Sequence, residues 1–327
     1  MEGYIGLCYH YVRTGKEDKR FSRIIGNTED QFRAHIEMIK DRYEVMAPED
    51  AIDFSYGKYA PANGRTGVLI TFDDGLSDHY GAARILSEYG LKGLFFICTT
   101  VLKDRLPANS TIIHYCLAGW GVRKFLEVYS SALEKYGLNP EKYKVTFKKG
   151  EDPWKAISAI KTIFKYRLGR EKTRAALLYI YERLFGAERK EAVDIIHLNE
   201  GQVRGMLDMG HSVGVHSHSH ISVAGTGITD RDFMEEMIEP KRYLEETFNT
   251  PVRTLSYPFG QKQDCLSSAA LLEKTEEYRL AFTIEPVMNT KEAHPLELGR
   301  YQITSRDDEA KLKGIMEEIA RGKEIAI

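Results

Sequence analysis

Two short stretches hold residue types that do chemistry at close spacing. Thr71-Phe-Asp-Asp-Gly75 puts two carboxylates directly after an apolar run, Gly67-Val-Leu-Ile-Thr-Phe72. That run reads as a buried parallel strand, and parallel α/β folds place active sites at the C-terminal ends of strands. Adjacent residues point different ways, so one carboxylate can bind a cation while the other stays free as a base. A nearby cation also keeps the ligand carboxylate ionised. Asp-Asp-Gly is equally a good turn sequence, so the pair does not decide the matter alone. The second stretch is His216-Ser-His-Ser-His220, after the strand Ser212–Val215. His216 and His220 are four apart and face one ion if the chain turns into a helix at the strand end. Two neutral imidazoles and one carboxylate make a three-ligand centre with a position left for water, the pattern of a catalytic site and not of a closed structural one. His218 points elsewhere in that arrangement.

A third stretch, Ser256-Tyr-Pro-Phe-Gly260, also ends a strand. Pro258 restricts Tyr257 to extended geometry, which exposes the backbone N–H of Phe259 or Gly260. Such a group can bind the oxyanion of a tetrahedral intermediate, with Tyr257, Pro258 and Gly260 shaping the substrate side.

The elements that must position these residues alternate. Strands are expected at Ile5–Tyr9, Tyr43–Met46, Gly67–Phe72, Leu94–Cys98, Ser212–Val215, Arg253–Tyr257, Tyr278–Ile284 and Leu296–Ile303, with amphipathic helices between them, an α/β pattern with a parallel sheet. Thr28 and Gln31 are spaced as a capping box for one helix. Between about Val101 and Ile196 the strand signals nearly vanish. There Trp154, Ile157, Ile160, Phe164 and Leu168 mark one helical face behind an Asp152-Pro153 start, and Leu177, Ile180, Leu184 and Phe185 mark another. These stripes read as core contacts. Residues 101–198 are therefore expected to be a helical insertion, a possible substrate cap, on a scaffold built from 1–100 and 199–327.

Bulk properties narrow the classes. The chain has 327 residues, 43% hydrophobic, with a formal net charge of −2, so no basic excess points to nucleic acid. Four dispersed cysteines form no CxxC motif and read as free thiols of a reducing compartment. No run approaches the roughly 18 apolar residues of a membrane span, and no signal peptide is visible, so a cytoplasmic location is expected.

Together the three stretches resemble the polysaccharide deacetylases, the NodB-homology domains of carbohydrate esterase family 4. Thr71–Gly75 matches the family's first motif, and His216-Ser217-x-x-His220 matches its H-[ST]-x-x-H second motif. Tyr9-His10, Ala281-Phe-Thr283 and Leu298-Gly-Arg300 are further family-like features, and the resemblance spans about residues 4–100 and 199–304. It implies a distorted (β/α) barrel of about seven strands. It also implies Asp73 as general base, and Asp74, His216 and His220 as ligands of one divalent metal ion, zinc first with cobalt or nickel as alternatives. The substrate implied is an acylated amino sugar, nucleotide- or lipid-linked if the protein is cytoplasmic.

Three departures from the pattern matter. Ser256 stands where the third motif, R-x-P-Y, has the arginine that steadies the base. The late L-x-H motif, source of the acid histidine, is replaced by Leu298-Gly-Arg300. And 145 positions separate Thr71 from His216, a long trip that the insertion explains. Arg300 is expected to supply the missing guanidinium, and His10, at the end of the first strand, the missing acid, with His294 as a second candidate. Three other readings compete with an N-deacetylase: an inactive carbohydrate-binding domain, a deformylase acting on a lipid-linked amino sugar, and a metal-free amidohydrolase.

Overall fold

The computed structural model describes residues 2–14, 19–223, 229–323 and 325. Seven parallel strands make the barrel: β1 Tyr4–Tyr9, β2 Gly67–Phe72, β3 Leu94–Ile97, β4 Ser212–Val215, β5 Thr254–Ser256, β6 Leu280–Phe282 and β7 Arg300–Gln302. They pair in sequence order from β1 to β6. The sheet curls closed because β7 pairs with β1, with Gly6 opposite Arg300, and because Leu298, just before β7, bridges Phe282. This is the (β/α) barrel of about seven strands that the motifs imply.

Strand residues alternate between two apolar layers, as a period of two requires. Ile5, Leu7, Val68, Ile70, Phe72, Phe95 and Val215 pack outward against helices. Tyr4, Leu69, Leu94, Phe96, Leu280 and Phe282 point inward, where Met46 and Phe54 join them and plug the lower half of the barrel. The inward positions above that plug are polar, and they build the site.

The helices of eight residues or more among the described residues are α1 Glu29–Arg42, α2 Pro48–Ser55, α3 Asp78–Glu88, α4 Asn109–Lys135, α5 Pro153–Thr162, α6 Arg170–Phe185, α7 Arg189–Ile196, α8 Glu200–Asp208, α9 Glu239–Phe248, α10 Lys262–Thr275 and α11 Glu309–Ala320. The Thr28–Gln31 capping box forms on α1, and Asp152 caps α5 with Pro153 in its first turn. Helices α4 to α7 share a core of their own, joined by Phe21 and Ile24 from the loop after β1. Among the described residues no helix is long and apolar enough to cross a membrane.

Several expectations need correction. The segment from Tyr43 to Met46 is strand only at Glu44–Val45, pairing with Gly67–Val68. An antiparallel pairing of Met288–Asn289 with β1 adds to the otherwise parallel sheet. The helix expected from about Asp232 to Phe248 is interrupted by a π turn at Met234–Ile238. Pro240 lacks the N–H that would bond the Glu236 carbonyl, and a widened turn accommodates the loss. Trp154 is not a core residue: it is 64% exposed, whereas Ile160, Phe164 and Leu168 are buried.

Candidate active site

The inward alternation on β1 brings Tyr4, Gly6, Cys8 and, just past the strand, His10 to the barrel interior. The same period on β2 brings Leu69, Thr71 and Asp73. Arg300 at the start of β7 crosses this interior and is fully buried. Gly6 makes its path: a Cβ there would lie 2.7 Å from both the Arg300 Cγ and the Gly299 carbonyl. The guanidinium sits 5.4 Å from the Phe96 ring and 5.7 Å from that of Phe282. All five of its N–H groups find acceptors. Nε donates to Thr283 O, Nη1 to Thr71 Oγ1 and Asp73 Oδ1, and Nη2 to Asp73 Oδ2 and Ser256 Oγ, at 2.7–2.9 Å.

Asp73 therefore meets Arg300 in a bidentate pair, the strong form of this interaction. Ser256 Oγ adds a donor at 3.0 Å and Cys8 Sγ another at 3.3 Å. Burial alone raises an acid of this kind. The Arg300 charge, with smaller help from His216 and His10, overcomes that and holds the Asp73 carboxyl well below the usual carboxylate range. The arginine absent from the Ser256 position thus has a counterpart arriving from the last strand. Ser256 keeps a polar place in the same network.

Asp74 turns the other way. Its φ of 79° lies in the left-handed region, which Asp tolerates better than most residues. Its Oδ1 is 3.5 Å from His216 Nε2 and 3.3 Å from His220 Nε2, and the three ligand-type atoms all lie within 4.8 Å of one another. Two atoms each about 2.05 Å from one ion, at the tetrahedral angle, would be about 3.3 Å apart. The donor set therefore fits a divalent ion. His216 Nδ1 lies 2.9 Å from the Ser256 carbonyl, to which it must donate, leaving Nε2 with the lone pair. Burial pushes His220 down to about 4 against the pull of Asp74, so its ring is neutral at neutral pH. Ser110 Oγ, from α4, donates to Asp74 Oδ1 at 3.3 Å.

The histidine loop is not the helix that the four-residue spacing suggests. Ser217 and His220 have φ of 59° and 63°, and the His220 N–H bonds back to Ser217 Oγ at 2.9 Å. The carbonyls of Ser217, His218 and Ser219 accept from Thr99, Thr100 and Asn109 N–H groups. The fully buried Glu236, held inward by the π turn, accepts from the His218 and Ser219 N–H groups and from Ser219 Oγ. Arg170 on α6 neutralises Glu236 at 3.0 Å and also pairs with Asp232 and Glu235. His218 points away, to Thr99 Oγ1 and Asp104. Two buried histidines hold the other site loops: His79 pairs with the His10 carbonyl and His197 with that of Gly75. Burial lowers both to about 4.

Of the remaining candidates, His10 is half-buried on the cavity wall. Its Nδ1 is 3.8 Å from Cys8 Sγ, and a ring nitrogen lies within 4.8 Å of Cys8 Sγ and an Asp73 oxygen. His294 is at the surface beside Glu273. Phe259 has a φ of 63°, and its ring meets His220 edge-on at 4.6 Å. Its N–H finds no acceptor among the described residues. Tyr257 lines the cavity with its hydroxyl tied to the Leu296 carbonyl. Pro258 and Gly260 are buried and shape the turn. Sequence reasoning missed Cys8, Ser110 and Glu236. The period-two pattern of β1 could have found Cys8, since it shares a strand face with His10; nothing in Met-Glu-Glu-Met-Ile singles out Glu236.

At the upper end of the (β/α) barrel a carboxylate–histidine centre thus stands beside an arginine-held carboxylate. Residues 170–276, a third of the chain, match the family model described as polysaccharide deacetylase. Over 108 residues the chain is 28% identical to YxkH of Bacillus subtilis (strain 168), a protein carrying a provisional polysaccharide deacetylase name; the match covers 33% of this chain and 37% of that one. The fold is similar to that of the Streptococcus pyogenes deacetylase PplD in complex with acetate, with a TM-score of 0.59, 16% identity and coverage of 96% of this chain and 98% of that one. IcaB from Ammonifex degensii is similar at a TM-score of 0.56 and 16% identity, over 97% and 98% of the two chains. The resemblance to the polysaccharide deacetylases read from the motifs is thus met by a family model, a curated relative and the fold.

Proposed function

We propose that this protein hydrolyses the N-acyl group, N-acetyl first, of an amino sugar in glycan synthesis, with one divalent ion, zinc, cobalt or nickel, held by Asp74, His216 and His220. The observation that carries this reading is the convergence of those three donors, at the spacing one ion requires, beside a carboxylate that Arg300 keeps ionised. The acetate held by the similar PplD structure is the product expected here. When bound, the ion would polarise the amide carbonyl and a water molecule.

The chain's own residues do the rest. Asp73 removes a proton from the attacking water as its oxygen bonds the acyl carbon. Because Arg300 makes Asp73 a poor resting place for that proton, it is readily passed on. The Phe259 N–H donates to the oxygen that gains charge. His10 protonates the nitrogen as the C–N bond breaks, leaving a carboxylic acid and a free amine. Residues 101–198 roof the cavity and select the substrate. Purified protein should release acetate or formate from an acylated amino sugar, free, nucleotide-linked or lipid-linked, in proportion to its metal content. Stoichiometric metal with no release from any of them would overturn the reading in favour of a binding domain.

A further inference from the structure

The site opens into a cavity of about 710 Å³, large enough for a sugar with a substituent. One wall comes from α5 and the π turn Ile163–Arg167 after it. Trp154, Ile157, Ser158, Lys161, Thr162 and Lys165 all line the cavity, at the i, i+3, i+4, i+7, i+8, i+11 spacing of a single helix face. The opposite face, Ala156, Ile160 and Ile163, belongs to the insertion's own core.

The two lysines differ. Lys165 pairs with the buried Asp264 at 2.8 Å and lies over the Phe259 ring. Lys161 has no hydrogen bond or ion pair among the described residues. Lys161 stands exposed on the cavity side; partial desolvation by the cavity walls pushes its amino group down, and Asp74 is the charge that opposes this. Yet Asp74 is committed to the ion site, and Asp73 is matched by Arg300. Arg170, the other cation on the lining, is matched by its three carboxylates. Lys161 is thus a cation in excess, and a bound divalent ion adds to that excess. The surroundings agree: residues 101–198 hold 19 Lys and Arg against 11 Asp and Glu, in a chain whose totals are 46 and 48. The insertion carries a surplus of eight positive charges and the rest of the chain a deficit of ten. A basic roof over a cation-bearing cavity concentrates anions. At the mouth, Ile25 and Trp154 are 67% and 64% exposed, offering apolar faces to a neighbouring ring.

We infer that Lys161 is a specificity residue for an anionic group, a phosphate or a carboxylate, carried by the acylated sugar. This deepens the deacetylase reading and rests on it. The test is calorimetric binding of N-acetylglucosamine, N-acetylglucosamine 1-phosphate and N-acetylmuramic acid to metal-loaded wild type, Lys161→Met and Lys161→Arg, each shown to be folded by its melting curve. Wild type should bind at least one charged sugar roughly tenfold more tightly than the neutral one, with the advantage shrinking as salt rises. Lys161→Met should lose the preference, and Lys161→Arg should keep most of it. Preference for the phosphate identifies a phosphoester-linked substrate, and preference for the carboxylate an acidic sugar. Equal binding of charged and neutral sugars by wild type, or an undiminished preference in Lys161→Met, would overturn the inference. Binding separates the two claims: anion preference without acyl release sinks the deacetylase reading alone. Equal release from neutral sugars in wild type and Lys161→Met, without anion preference, sinks this one alone.

Discussion

Around Asp73 the protein supplies everything a carboxylate needs: two guanidinium contacts, a hydroxyl and a thiol, all buried. Around Asp74, one residue later, it supplies two ring nitrogens and a single hydroxyl. The first pocket carries its own cation; the second gathers lone pairs and lacks one. Residue type is identical in the two places, so role follows from the charge that the neighbours bring. The backbone makes the division possible, because the left-handed φ of Asp74 swings its side chain away from the arginine.

The sharpest way to break this comparison is to exchange the carboxylates' chemistry. Asp73→Asn should lower kcat by about 10³-fold or more while metal content stays at wild-type level, and Asp74→Ala should empty the metal site. Metal lost equally from both variants would mean that the two pockets share one role.

Arg300→Ala should cost about 3–5 kcal/mol of stability, because it leaves a buried charge unpaired. Its pH dependence gives a second reading. The native Asp73 carboxyl is depressed, so its stabilising contribution is present above the ordinary carboxylate range and is lost as pH falls through the native value. Without Arg300, burial dominates and the native carboxyl rises. The variant should then lose stability as pH climbs from about 4 towards neutrality, where wild type stays flat. Melting curves of metal-free protein across that range check both signs. His10→Ala should cut kcat by about 10²-fold without changing metal content; an unaltered rate would remove it as the acid. Glu236→Gln, which loosens the loop carrying His220, should weaken metal binding by roughly tenfold, as remote supports of metal ligands do; unchanged affinity in a chelator competition would show that the loop holds itself. Cys8→Ala should have the smallest effect, at most about 1 kcal/mol and threefold in kcat, since a thiol is a weak donor. A larger loss would mean that Asp73 depends on more than its arginine.

Much of the site was legible because period and motif act locally. Strand ends located Asp73, Asp74, His216 and Ser256, and closure of a barrel brings Arg300 towards the first strand. Other features depend on contacts far apart in the chain. Glu236 matters only because Pro240 widens a helix so that its side chain reaches a loop 17 and 18 residues earlier. The chain's left-handed turn at Ser217 and His220 was hidden because a four-residue histidine spacing suits a helix as well. Trp154 fitted an apolar helical stripe, and only the packing of α5 shows that it stands exposed at the cavity and not in the core.

The pairing of β7 with β1 also has a consequence for how the protein is made. A ribosome releases Gly6 and Asp73 more than 220 residues before Arg300. Until β7 docks, the groove that Gly6 keeps open is empty and Asp73 has no counterion, so a nascent barrel holds either an exposed or a protonated acid at its centre. Competence for catalysis should therefore wait for β7 and appear abruptly when it docks on β1. A chain truncated before residue 300 should be inert even where six of its strands have assembled.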